Sequence, residues 1–404
     1  MIKNSRSKMV IMYGSSIAGI LLGFLISVLH TKLLGAEKFG DFKFIETVVR
    51  FIGSLVSVGF FISLTRLLAI NDDRIKERKY VGLFTIVFLI ISLIGIILIL
   101  LFSFIEPYFF GHGLSIIFRK YFFVVSAVIG QLALNEILKG MHKINYLVIF
   151  NVIPGTVYVI ILYFLSFYLT IGVEFILFLY YLLIFLAVVV AILYLKPKFN
   201  FDKKMYRTLL VENKHNGRPI YYGSLAGVAT THIAGFSISY YLTNTEVGFY
   251  MLALTVCSPI LIVPSVLGTI YFKEFVHLKS IPRKVLGFSF LFTCIALIIF
   301  YLLIETVVVY VYGDSFLPVS VMSKYLIFGF ILHGLGDLFN RFLGAKGKGK
   351  LLRNAAFLVG VVNVIGYTVF ISLFDINGAI LTKILASCLY MSVMIYYYFN
   401  FDKN

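Results

Sequence analysis

The chain has 404 residues, 61% apolar and 13% charged, with a formal net charge of +17 and a mean hydropathy of +1.00. A water-soluble core cannot absorb that much apolar surface, so the composition places the chain in a membrane and removes nucleic acid as the reason for its positive charge. Every connection between apolar runs is too short for a soluble catalytic or nucleotide-binding domain.

Runs of about 20 apolar residues match the length a helix needs to cross roughly 30 Å of hydrocarbon. Twelve are found in the chain. Rich in Phe, Ile, Leu, Tyr and Val and free of strict alternation, they predict helices rather than barrel strands. The first, near 10–30, follows Lys3, Arg6 and Lys8 and carries a ladder of small residues, Ser15, Gly19, Gly23 and Ser27. No small-residue cleavage site follows it, so it is expected to remain as the first span. Lys32, Lys38 and Asp41 precede the second run, 43–64, which opens on Lys43 and in which Glu46, Arg50, Gly53, Ser54 and Ser57 form one polar face. Arg50 falls about two turns inside that run, deeper than snorkelling requires. It reads either as a cavity-facing cation or as the partner of a private Glu46 ion pair.

Arg66, Arg74, Lys76, Arg78 and Lys79 lead into the third run, 80–104. The fourth, 115–138, starts with Arg119 and Lys120 and is followed by Lys139 and Lys143. Pro154 and Gly155 predict a kink in the fifth, 146–168, and the sixth spans 172–195. A basic stretch from Lys196 to Arg218 then separates the two halves.

The seventh run, 219–240, carries a second ladder, Gly223, Gly227, Thr231 and Gly235, with His232 beside it. His232 is either a packed, hydrogen-bonded residue or a ligand-facing one. Pro259 and Pro264 predict kinks in the eighth run, 247–272; the ninth covers 285–304. The tenth, 317–340, contains Lys324, His333 and Asp337; the eleventh and twelfth, 355–374 and 377–399, include Lys383. Charged groups inside spans are costly and usually face a cavity or a partner, which makes Lys324, Lys383 and Asp337 candidates with Arg50. The Gly347 to Lys350 turn reads as a topology and headgroup signal. Cys257, Cys294 and Cys388 stand singly within apolar runs, so neither a disulfide framework nor a metal site is expected, and no cofactor. Trp is absent, leaving 27 Tyr to anchor the interfaces.

The termini and the even-numbered connections hold 27 of the 35 basic residues, whereas the odd connections hold only Lys32, Lys38, Lys43, Arg119 and Lys120. By the positive-inside rule both termini are expected in the cytoplasm. The halves also echo each other. Asn151, Val152, Ile153, Thr156, Val157 and Tyr158 recur as Asn363, Val364, Ile365, Thr368, Val369 and Phe370. The two ladders, and Leu34, Gly40 and Phe42 against Leu242, Gly248 and Tyr250, are offset by 208 residues. Asn135, Leu138 and Lys143 precede Asn340, Leu343 and Lys348 by 205.

An even number of spans per half makes the repeats parallel. The expectation is an all-α integral membrane protein of twelve transmembrane helices in two parallel six-helix lobes around a central cavity. Residues 1–195 and 219–404 would be the lobes and 196–218 a cytoplasmic linker. The ladders serve either tight helix packing or a substrate cleft. No phosphate loop, zinc-protease motif or nucleophile elbow is present, so the driving force would be a substrate gradient, the membrane potential or a coupled ion.

"TKLLGAEKFGDFKF" (31–44) with "LTRLLA" (64–69) resembles the opening of the polysaccharide flippases that move lipid-linked oligosaccharides, O-antigen units included. "YYLTNTEVGFYMLA" (240–253) and "VYGDSF" (311–316) are similar to later signatures of the same family. It lies within the multidrug, oligosaccharidyl-lipid and polysaccharide exporter superfamily. The resemblance implies alternating access in the bacterial cytoplasmic (inner) membrane. An undecaprenyl-pyrophosphate-linked glycan would be the substrate, with membrane lipids and other polysaccharide assembly proteins as partners. Arg50 would bind the diphosphate, because guanidinium meets phosphate bidentately. Lys383, Lys324, Lys32 and His232 would be further substrate-binding residues, and Asp41, Glu46 and Asp337 candidates for ion coupling. A cation-coupled multidrug exporter of the same fold is the alternative, and a membrane-embedded glycan polymerase or glycosyltransferase a second.

Overall fold

The computed structural model describes residues 2–71, 73–200 and 203–400, with side chains from 18 onward except at 144, 226 and 229. The N-terminal bases, Ser15 and Lys403 lie outside the described side chains. Among the described residues the secondary structure is helical, without a strand. Hydrocarbon explains this, since a helix satisfies its own backbone groups where no water can.

The first half comprises α1 (Ile2–Leu55), α2 (Phe60–Ala69), α3 (Arg74–Phe109), α4 (Ser115–Lys120), α5 (Val124–Gly140), α6 (Ile144–Leu165) and α7 (Val173–Leu195). Then follow α8 (Lys203–Glu212), a π turn (Asn213–Gly217), α9 (Arg218–Tyr241), α10 (Asn244–Cys257), α11 (Ile262–Ile270) and α12 (Phe272–His277). The chain closes with α13 (Arg283–Tyr312), α14 (Leu317–Ala345), α15 (Gly349–Ile365), a second π segment (Gly366–Phe370) and α16 (Ile371–Asn400).

Eight stretches among the described residues are long and apolar enough to cross a membrane. Two of them each join two expected runs. Residues 18–55 bend at Gly35 (φ 70°), and 349–400 pass through the π segment and a left-handed Asp375 (φ 52°). The fourth run is divided between α4 and α5, and the seventh lies in α9. Pro259 sits in a 3-10 stretch, Ser258–Leu261, that separates α10 from α11, a break of the kind its missing N–H predicts. Pro154 instead lies inside an uninterrupted α6. Its neighbour Gly155 is where α6 meets α1, because a Cβ there would fall 2.6 Å from Leu22 Cδ2.

The chain forms two compact units, residues 1–34 with 45–228, and residues 35–44 with 229–404. In the first, α5 packs against α2, α3, α6 and α7. Close approach depends on small residues: a Cβ on Gly53 would press on Val128, one on Gly95 on Ile129, and one on Gly130 on Val188. The basic stretch expected as a linker is folded. α8 packs on α2, Arg66 pairs with Glu212 at 2.6 Å, and the Tyr221 hydroxyl donates to the Leu55 carbonyl.

In the second unit α14 is the centre, packed by α10, α11, α13, α15 and α16. Segment 35–44 belongs here: Phe39 and Phe249 both meet Phe316 edge-on, and Asn244 donates to Asp41 at 2.8 Å. Thr243 caps α10 by accepting from the Glu246 amide at 3.3 Å, with Glu246 in the first turn favouring the helix dipole. Several ladder glycines have open space beside them among the described residues. A Cβ at Gly19, Gly23 or Gly223 would meet no atom within 4 Å.

Candidate functional site

The break at Gly35 starts the second arm of α1 earlier than the apolar run does, and from residue 45 that arm belongs to the first unit. Arg50 therefore lies about four turns past that break. Its Nε donates to Glu46 Oε1 at 2.9 Å, one turn back, and the two side chains are 36% and 16% exposed. Both readings of Arg50 meet here: it has an ion pair, and it keeps an open side. Glu46 holds the Nε proton and the guanidinium also hydrogen-bonds Tyr180, while the 36% exposure of the side chain leaves one side open. Tyr180 and Tyr181 on α7 lie within electrostatic reach of the guanidinium.

Tyr180 extends this cluster. Its ring meets Tyr158 of α6 at 5.1 Å and His30 of α1 at 6.5 Å, both edge-on. His30 Nε2 and the Tyr158 hydroxyl share a 2.6 Å hydrogen bond, and both residues are buried. A chain of polar contacts thus runs from the Arg50 guanidinium through Tyr180 of α7 to Tyr158 of α6 and His30 of α1.

The second unit has its own polar path along α14 and α16. Lys383 Nζ stands 5.1 Å from the centre of the Phe330 ring, a cation–π contact that partly replaces lost hydration. His333 is within electrostatic reach of both Lys383 and Asp337, and its ring stacks on Tyr390 at 4.5 Å. The Tyr390 hydroxyl accepts from Asn340 at 2.8 Å and donates to Asp337 Oδ1 at 3.5 Å. Asp337 pairs with Arg341 at 3.4 Å, and Arg341 also donates to Ser265 at 3.0 Å.

The candidate residues thus fall into groups. Arg50 and Glu46 come together in one unit, Lys383 and Asp337 in the other. Lys324 pairs with Glu305 of α13 at 2.7 Å, about 14 Å along α14 from His333. Lys32 is exposed on the first arm of α1, and His232 is half-buried on α9. Asp41 is engaged with Asn244, a bond that fastens segment 35–44 to α10.

His30, Tyr158, Tyr180, Arg341 and Tyr390 escaped the reading of the sequence. His30, an ionisable residue within the first run, was a usable signal. Tyr158 stood in the repeated block with nothing to mark its role, and Tyr180 is one among 27 tyrosines.

Several solved structures share this architecture. The lipid II flippase MurJ in an inward closed conformation superposes with a TM-score of 0.73 at 19% identity, over 96% of this chain and 86% of its own. An inward-facing multidrug resistance MATE family transporter of the MOP superfamily gives 0.67 at 13% identity, over 96% of each chain. A MOP superfamily transporter from Pyrococcus furiosus gives 0.61 at 13% identity, over 98% of this chain and 97% of that one. At these identities the likeness establishes the fold, that of all-α, multi-pass membrane transporters. Among curated proteins no sequence matches this chain. Residues 6–271, well over half of the chain, match the family model described as polysaccharide biosynthesis protein, and the chain belongs to that family.

Proposed function

We propose that the chain is a flippase that carries an undecaprenyl-pyrophosphate-linked oligosaccharide, an O-antigen or related surface-polysaccharide repeat unit, across the bacterial cytoplasmic membrane by alternating access. Arg50 carries the reading. It is the guanidinium held by Glu46 and bonded to Tyr180, on a helix of a largely apolar unit. A lipid-linked diphosphate needs a cation it can reach without leaving the bilayer. A fixed guanidinium offers two parallel N–H donors to such a group. Tyr180, half-buried beside Arg50, offers a ring to a sugar, and the second unit carries a cation of its own in Lys383, held over Phe330.

Both termini lie in the cytoplasm in this reading, supported by the one-sided placement of basic residues. The lobes are the two halves joined near 196–218. Ion coupling falls to Glu46 and Asp337, each bonded to an arginine one turn away and so able to exchange that partner for a cation.

The test is display of surface glycan in a strain lacking its own flippase. Arg50→Lys keeps the charge but loses the fork, so display falls; Arg50→Ala falls further, by roughly one to two decades in affinity for the diphosphate. Membrane abundance is measured alongside. Full display by Arg50→Ala at normal abundance overturns the assignment, and resistance to cationic dyes without glycan display assigns the chain to multidrug export.

A further inference from the structure

A cavity of about 570 Å³ opens at one end of the first unit, where α3 begins, α7 ends and α5 turns into α6. Arg74, Arg78, Lys143 and Lys196 line it, with Glu77 as the one acidic lining residue. Four cations around one space repel each other unless an anion joins them. The one carboxylate leaves a surplus of three positive charges.

The walls are fastened. Arg78 Nε donates to the Lys196 carbonyl at 2.8 Å, and the Lys198 amide donates to the Arg78 carbonyl at 2.9 Å. Gly82 permits this approach, because a Cβ there would collide with the Lys198 carbonyl. Lys196 ends α7 in the left-handed conformation (φ 50°, ψ 64°), where helices usually place glycine. A side-chain-bearing residue held there is strained, and the strain sets a lysine at the rim of the cavity. Lys143 is directed along the Tyr194 ring, 5.8 Å from its centre.

Apolar side chains line the cavity or adjoin its lining residues in the chain. Leu195 is buried, whereas Ile75, Leu193 and Tyr194 are exposed, with relative exposures of 57%, 67% and 50%. A cationic cavity lined in part by apolar side chains, with exposed Leu193 and Tyr194 next to its lining residue Leu195, fits an anion that carries acyl chains. The basic connections that form it belong to the side assigned to the cytoplasm, where anionic lipids concentrate.

We propose that this cavity binds the phosphate of an anionic glycerophospholipid of the inner leaflet, with the acyl chains lying along Ile75, Leu193 and Tyr194. The site is separate from the Arg50 cluster and does not depend on what the protein transports.

The test is native mass spectrometry of the full chain in detergent, titrated with phosphatidylglycerol or phosphatidylcholine. One phosphatidylglycerol is retained per chain in preference to phosphatidylcholine. The Arg74→Gln/Lys143→Gln pair weakens retention roughly thirtyfold, about fivefold for each lost cation. Lys279→Gln/Lys284→Gln, an equal loss of charge at exposed positions in the second unit, leaves it unchanged. Arg74→Gln alone, at an exposed position, keeps the test open if the pair does not fold, and shows about a fivefold loss. Equal weakening by both pairs reduces the effect to diffuse charge and overturns the site. So does phosphatidylcholine binding as tightly as phosphatidylglycerol. Inorganic pyrophosphate that binds the cavity and displaces phosphatidylglycerol would assign it to a soluble anion and overturn the lipid assignment.

Discussion

Gly40 and Gly248 meet backbone to backbone. A Cβ on Gly248 would lie 2.8 Å from Gly40 Cα, and a Cβ on Gly40 would overlap the Asn244 carbonyl. They are 208 residues apart, the offset at which the two small-residue ladders recur in the sequence. The Asn244 to Asp41 hydrogen bond lies beside them. Gly40→Ala and Gly248→Ala should each force the two helices apart, costing about 1–3 kcal/mol by overpacking. Thermal unfolding in detergent reads this directly. Gly23→Ala, where a Cβ meets no atom within 4 Å, should melt with the parent. Equal melting of all three would mean that the crossing yields at no cost.

Glu46 positions Arg50, so removing its charge tests the site without touching the cation. Glu46→Gln leaves the guanidinium beside a neutral amide, and a charge-assisted bond is worth roughly 1.5–3 kcal/mol. Glycan display should drop about tenfold or more while membrane abundance holds. Undiminished display would show that Tyr180 alone suffices to orient Arg50.

Lys324 and Lys383 should separate cleanly. Lys324 is joined to Glu305, whose side chain is 58% exposed, and such pairs contribute little. Lys324→Met should therefore display glycan like the parent. Lys383 lies over Phe330 beside His333, and Lys383→Met, similar in volume, should impair display at normal abundance. The reverse ranking would give the role in the second unit to Lys324.

On the α14 path, Tyr390→Phe removes the acceptor for Asn340 and the donor to Asp337 but keeps the stack on His333. The loss should be about 1 kcal/mol of stability. If Asp337 takes part in ion coupling, the dependence of display on the proton or sodium gradient shifts as well. A change in melting with an unaltered gradient dependence would leave the path a packing device.

Orientation is testable by labelling single cysteines in a background lacking Cys257, Cys294 and Cys388. Asp314→Cys and Asp375→Cys, both exposed, should react with an impermeant thiol reagent from outside; Lys204→Cys, also exposed, should react only after permeabilisation. Asn244 is a poor reporter, since it is buried between Ser239 and Asp41. Labelling of Lys204→Cys in intact cells would invert the topology.

The helical membrane fold was legible because it depends on apolar run length, a property any window of sequence carries. Glu46 and Arg50 were legible together because a helix sets residues four apart on one face. The rest of that cluster was not. His30 and Tyr158 are separated by 128 residues, and no local period records which distant helices will meet. The same limit concealed Arg341, which reads as one of several loop bases but sits inside α14 bonded to Asp337. The helix breaks at Gly35 and Asp375 differ in legibility for a simpler reason. Left-handed backbone is ordinary for glycine, whereas at Asp375 the sequence offers only a tolerated exception.

Residues 35–44 are grouped with the second unit although the chain on both sides of them belongs to the first. The polypeptide therefore changes unit at 34/35, 44/45 and 228/229, and no single cut yields two self-sufficient pieces. A fragment starting in the 196–218 stretch would bare Asn244, Gly248 and Phe316, stripped of Asp41, Gly40 and Phe39. Chimeras between relatives inherit this constraint: a transplanted C-terminal half has to bring its own version of the ten residues from Gly35 to Phe44.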